Sequence, residues 1–322
     1  MEGSDATAPG VSGRPDPTNR RTNCHKSNKA DQQPANITVR TLILCVDDFG
    51  MHHGINTAVM QLGRLGKVTA TSVMVDGPAA EQGARELEES SRTWPKPLQV
   101  GLHFNLTEEF APRPSLSAYP AKSLPTLIAL TTLRLAPRPA IALEVHRQCA
   151  RFEAIFRHRP DYIDGHQHVH TFPIVRDAIL QVLSERYGNA PRPWLRRTRP
   201  PQADHRIKPR FIAALGDRSL AKAAAARCIA QNGHLLGVHA FARDPDAFGS
   251  LMAHWLAQAQ DGDLLMTHPS AEGSHTDPLL PERMAELAWL SSSAFARQLQ
   301  AAGIELVCGP TASRRAASNA AQ

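Results

Sequence analysis

The sequence predicts an α/β fold, a distorted (β/α) TIM-like barrel in a single domain, and three observations carry that expectation. Seven or eight apolar, β-prone runs are nearly all separated by stretches of helical periodicity, the pattern of a parallel sheet with right-handed crossovers. The first run, TLILCV at 41–46, is apolar after its first residue, as expected for a strand covered on both faces. The chemically suggestive residues fall at the C-terminal ends of successive runs, the rim where barrel active sites lie. No GxGxxG or Walker pattern follows a strand, so a nucleotide-binding fold gains no support.

The elements follow in order. After the strand at 41–46, GINTAVMQLGRLG (54–66) has apolar residues at helical spacing, TATSVMV (69–75) reads as a strand and AAEQGARELEESS (79–91) as a helix. LQVGLHF (98–104) is the next strand. The stretch 110–136 breaks the alternation and is expected to be a long insertion, a partly helical lid beside the site. Residues 142–158 form an amphipathic helix, DYID (161–164) a short strand, and 173–188 a helix ended by Gly188. WLRRT (194–198) is a weak strand, 208–232 an Ala-rich helix, HLLGVHAF (234–241) a strand and 250–260 a helix. DLLMTH (263–268), a helix over 282–303 and IELVC (304–308) complete the series. Residues 1–37, polar and rich in Pro, Gly, Ser and Asn, are expected to be a disordered extension, 38–311 the barrel and 312–322 a flexible tail.

Bulk composition narrows the function. The 322 residues are 42% hydrophobic and 20% charged, enough apolar material for a large core. No apolar run approaches the roughly 20 residues that span a bilayer. The N-terminal stretch has no hydrophobic segment of the kind a signal peptide carries, so a cytoplasmic protein without an integral membrane segment is expected. The formal charge of +6 sits partly in an Arg-rich stretch (Arg192, Arg196, Arg197, Arg199), and only 5% of residues are aromatic. That is poor material for base stacking, and no nucleic-acid partner is expected. The five cysteines (Cys24, Cys45, Cys149, Cys228, Cys308) are scattered and never form CxxC. They are expected to be reduced thiols, with Cys45 and Cys308 acting as small hydrophobes inside strands.

Four strand ends carry chemistry. Asp47 and Asp48 close the first strand, where two desolvated carboxylates need a counter-charge or a metal. The alternative is that one of them caps the next helix. His103 ends the apolar run of GLHFNLT, and His268 ends that of LLMTHPS. DGHQHVHTFP (164–173) packs Asp164, His166, His168 and His170 into seven residues after another strand. One carboxylate and two imidazoles would leave open positions on a metal for water and substrate. A second carboxylate could then act as base and a separate His as acid.

At these residues the sequence resembles the YdjC-like carbohydrate deacetylases, the family of chitooligosaccharide deacetylase and the hopanoid-associated HpnK type. The matching segments are DDFGMHHGINTAV (47–59), TATSVMVDGPA (69–79), VGLHFNLTE (100–108), PDYIDGHQHVHTFP (160–173) and THPS (267–270). The resemblance implies a TIM-barrel-like fold, a divalent ion, Mg2+ or Zn2+, and removal of an acetyl group from an N-acetylated sugar or sugar-lipid. It implies Asp48, His103 and His166 as metal ligands, Asp47 as general base, His268 as acid or transition-state stabiliser, and Arg196 as the residue orienting Asp47. A homodimer is compatible with it. The family commonly reads Cys-His-Pro-Gly where this chain has Thr267-His268-Pro269-Ser270. Two alternatives remain: an amidohydrolase-type barrel using the His168/His170 pair, and a non-catalytic sugar-binding barrel.

Overall fold

The computed structural model describes residues 39–110, 119–188, 190–273 and 277–310. Its first strand, β1 (Arg40–Phe49), shows why a continuous apolar run is needed. Leu42, Leu44 and Val46 join the main core between sheet and helices, while Ile43 and Cys45 point into a second, smaller cluster with Tyr162, Trp194, Leu264 and Met266. Both faces of the strand are dry, and each fully buried aliphatic side chain contributes about 1.5–3 kcal/mol.

β1 is followed by α1 (His53–Arg64), β2 (Ala70–Val73), α2 (Ala80–Ser91) and β3 (Gln99–Phe104). Then come α3 (Leu124–Thr132), α4 (Arg138–Phe156), β4 (Tyr162–Gly165), a 3-10 turn (His166–Thr171), α5 (Val175–Tyr187) and β5 (Trp194–Leu195). The series ends with α6 (Ile207–Ala214), α7 (Asp217–Ala225), β6 (Leu235–Leu236), α8 (Pro245–Gln258), β7 (Asp263–Thr267), α9 (Leu280–Ser291), α10 (Ser293–Ala301) and β8 (Ile304–Leu306).

All the strand pairings are parallel, in the order β5-β4-β3-β2-β1-β7-β6, with β8 beside the start of β1. The sheet curls until its two ends meet: Leu195 bridges Gln231, and Leu235 N–H donates to Arg199 O at 2.7 Å. This is the barrel-like α/β architecture the alternation implies.

Several boundaries differ from the sequence expectation, each for a local reason. The helix expected over 208–232 is two, broken at Gly216, where a Cβ would stand 1.9 Å from Thr171 O. The helix over 282–303 breaks at Ser292, whose hydroxyl accepts the Phe295 N–H that opens α10. HLLGVHAF keeps only two strand residues, because Gly237 turns at φ +93° against Met266 O. The insertion 110–136 contains α3 and the buried Tyr119; its residues 111–118, like the expected disorder of 1–37 and of 312–322, lie outside the described residues. Among the described residues no helix is long and apolar enough to cross a membrane.

Candidate active site

The two adjacent acids reach one rim through an irregularity in β1. The strand runs three residues past the expected end at Val46, and its pairing with β2 shifts register between Val46 and Phe49. Asp48 takes the left-handed conformation at φ 66°, which Asp tolerates better than most residues. A bulge of this kind re-aims side chains that a regular strand would send to opposite faces. Neither acid caps α1, whose N-cap position is His52.

Asp48 Oδ1 meets His166 Nδ1 at 3.0 Å and His103 Nε2 at 3.4 Å, while its Oδ2 accepts from Arg283 Nη2 at 2.8 Å. One carboxylate oxygen is therefore neutralised by Arg283 and the other is turned to the imidazoles. The ligand atoms of Asp48, His103 and His166 lie within 4.8 Å of one another, a group that could hold a metal ion. The donor set suits a borderline cation such as zinc, and three protein ligands leave positions open. Burial alone would raise Asp48, but Arg283 and the two imidazoles hold its carboxyl well below the usual range.

His103 is oriented from behind. Strand pairing places it opposite Asp164, and its Nδ1 hydrogen-bonds Asp164 Oδ1 at 2.7 Å. That bond fixes the tautomer and leaves Nε2 toward Asp48. Burial opposes charge on His103, yet Asp164 and Asp48 together carry the imidazole up to about 10.

Asp47 is held by a different partner. Arg196 Nη1 and Nη2 donate to its two oxygens at 2.6 Å each, a bidentate pair with Arg196 fully buried. Burial would raise Asp47, but Arg196 more than offsets it and keeps the carboxyl below the usual range. Arg196 Nη2 also lies 2.6 Å from Asp164 Oδ2 and 2.9 Å from Cys45 Sγ. Cys45, Asp47 and Asp164 form a second cluster of potential metal-binding groups, but the guanidinium already fills the cationic position among them.

His268 Nε2 stands 4.0 Å from Asp47 Oδ2, its backbone N–H donates to Glu286 Oε2 at 2.6 Å, and its ring packs edge-on to Phe241. Burial lowers its pKa, so the resting imidazole is neutral. His168 and His170 do not join the ligand group. His170 Nε2 bonds Arg196 O at 3.0 Å, and burial brings its pKa down to about 4. His168 and Gln167 both adopt positive φ, a local strain of about 1–2 kcal/mol each.

The sequence pattern of the YdjC-like protein family matches residues 41–301 of this chain. The chain belongs to the YdjC-like family. Chitooligosaccharide deacetylase of Citrobacter koseri is 34% identical over 152 residues, 46% of this chain and 57% of that protein. The Proteus mirabilis enzyme of the same name is 34% identical over 146 residues, covering 44% and 55%. The match thus spans little more than half the length of these relatives. A crystal structure of a candidate cellobiose-phosphate cleavage protein from Enterococcus faecalis V583 superposes with TM-score 0.61 at 18% identity, over 84% of this chain and 98% of that one. That likeness shows the fold.

In this YdjC-like chain the six residues singled out in the sequence, Asp47, Asp48, His103, His166, His268 and Arg196, lie together on one rim, and the groups that support them were not among those singled out. Asp164 stood out only as an acid beside a histidine cluster, and Arg283 and Glu286 read as ordinary helix charges. The sequence carries no signal for the last two: only in the fold are Arg283 and Glu286 of α9 buried, at 4% and 0% exposed.

Proposed function

We propose that this YdjC-like chain is a metal-dependent hydrolase that removes an acetyl group from an N-acetylated sugar. The observation that carries the proposal is the juxtaposition of an Asp48–His103–His166 ligand group with an Arg196-clamped Asp47 on one rim. The names of the matched relatives supply the substrate class, an acetylated oligosaccharide. When bound, a divalent ion, Mg2+ or Zn2+, supplies Lewis acidity that polarises a carbonyl and lowers the pKa of water.

The chain's own groups divide the remaining work. Asp48, His103 and His166 hold the ion, and Arg283 and Asp164 hold two of those ligands. Asp47 accepts the proton of the attacking water. A carboxylate clamped by Arg196 is a weak base, so it serves only a water that is already acidified. His268 starts neutral and can donate its N–H to the developing oxyanion, or receive Asp47's proton through one water bridging the 4.0 Å between them and pass it to the leaving nitrogen. The amidohydrolase alternative is disfavoured because His170 is committed to the Arg196 carbonyl. Residues 38–311 are taken as the catalytic unit.

Acetate release from N-acetylated mono-, di- and oligosaccharides, measured with metal-free protein and with added Mg2+ or Zn2+, tests the proposal. Metal-stimulated release from an oligosaccharide is expected. Stoichiometric metal uptake without release from any substrate would favour the sugar-binding alternative instead.

A further inference from the structure

Asp164 is completely buried, and two hydrogen-bonding side chains and one guanidinium converge on it. His103 Nδ1 reaches Oδ1 at 2.7 Å, while Ser72 Oγ and Arg196 Nη2 reach Oδ2 at 2.6 Å each. A buried carboxylate is tolerated when its lone pairs are satisfied this fully. The two oxygens face different machinery: through His103 one supports the ligand group, and through Arg196 the other supports the clamp on Asp47. Both partners are fixed by backbone pairing as well, since His103 and Asp164 are opposite in the β3–β4 register and Arg196 N–H donates to Ile163 O beside Asp164.

We propose that Asp164 is a positioning residue shared by the two halves of the site, aligning His103 for metal and Arg196 for Asp47 with one carboxylate. This rests on the function proposed above. The consequence is that metal affinity and base alignment are coupled, so one substitution degrades both. Asn at this position is nearly isosteric but has a single acceptor oxygen. Whichever way its amide is turned, an NH2 donor faces either His103 or Arg196.

The test uses Asp164→Asn in the full chain. Calorimetric titration of metal-free protein with Zn2+ alone should show affinity reduced by about 10–100-fold, the usual effect of removing a partner behind a metal-binding His. At saturating Zn2+, kcat for acetate release from N,N′-diacetylchitobiose should still be down by about tenfold or more, with KM little changed, because Arg196 has lost its second anchor. Adding Arg196→Lys should cost less in the double variant than alone, since the two act through the same clamp. Full recovery of kcat at saturating metal would overturn the shared role, and so would unchanged Zn2+ affinity. If Asp164→Asn fails to fold, Ser72→Ala removes one hydrogen bond to the carboxylate and leaves His103 and Arg196 in place, and both readouts should fall together by about fivefold, roughly 1 kcal/mol of hydrogen bond. Movement of one readout without the other in Ser72→Ala overturns the proposal. A wild-type protein that takes up no metal and releases no acetate would break the underlying function, whereas a working wild type with an unaffected Asp164→Asn breaks only this inference.

Discussion

Strands β1 to β4 run four to ten residues and pair in parallel, with one register shift between Val46 and Phe49, whereas β5 and β6 have two residues each and their short ladders are supplemented by side-chain acceptors. In the short region Asp217 accepts from the backbone N–H of Thr198 at 2.8 Å and of Arg199 at 3.1 Å, and Asn232 Oδ1 accepts from Arg197 N–H at 2.8 Å. The candidate metal ligands all come from the long region. Arg196, which clamps Asp47, comes from the short one. Register places His103 opposite Asp164, and Arg196 N–H donates to Ile163 O, but the Arg196 guanidinium is held by buried acids and its loop by side-chain tethers. Away from Asp164, which touches both, the two halves of the site should therefore fail by different routes.

The largest expected effect separates two adjacent residues. Asp48→Asn removes the anionic ligand, so Zn2+ affinity should fall and excess metal should restore part of the turnover. Asp47→Asn leaves the ligand group intact, so metal should still bind while turnover drops by about 10²–10⁴-fold. Metal content and acetate release measured on both variants check this. Near-normal turnover in Asp47→Asn would remove the general base from the mechanism and leave the Arg196 clamp without a catalytic purpose.

A middle-sized effect probes the tether. Asp217→Ala strands two backbone N–H groups, one of them fully buried, and should cost about 2–3 kcal/mol of stability. Because the damage is confined to the short region, Zn2+ affinity should stay close to wild type while kcat falls with the loosened Arg196. Thermal melting, zinc titration and turnover on this variant report the three consequences separately. Equal loss of zinc affinity would mean that the two regions are mechanically one.

The same division explains what the sequence made legible. β1, β3, β4 and β7 announce themselves because an apolar run ends abruptly in Asp or His, and burial of the run places those ends on one rim. The expected strands at 194–198 and 234–241 shrank because a glycine turn and side-chain acceptors replace the ladder there, and such contacts join residues distant in sequence. Arg283 was invisible for a related reason. On α9 it reads as a solvated charge, and only the tertiary approach of that helix to β1 buries it against Asp48. Cys45 is half legible: it packs among apolar residues as a small hydrophobe should, yet its sulfur also touches Arg196 and lies 3.4 Å from Asp47.

The last expected effect is a pH dependence that should appear on the metal side alone. In the metal-free protein burial would depress His103, but Asp164 and Asp48 carry it up to about 10, against about 6.5 in an unfolded chain. Its protonated pairing therefore stabilises the metal-free fold fully below pH ~6.5, and that contribution is lost as pH rises through about 10. A metal ligand must be the neutral imidazole, so binding within this window displaces a proton. Apparent Zn2+ affinity should rise by about tenfold per pH unit between roughly pH 7 and 9 for each such proton. On the other side Asp47 is held below its usual range and Arg196 is raised by Asp164 and Asp47 against the cost of burial, so neither titrates in that interval. Calorimetry in two buffers of different ionisation heat counts the released protons directly. Zinc affinity that stays flat from pH 7 to 9 would show that His103 gives up no proton to the metal, and the Asp164–His103 pairing would then be a structural bond with no part in ligation.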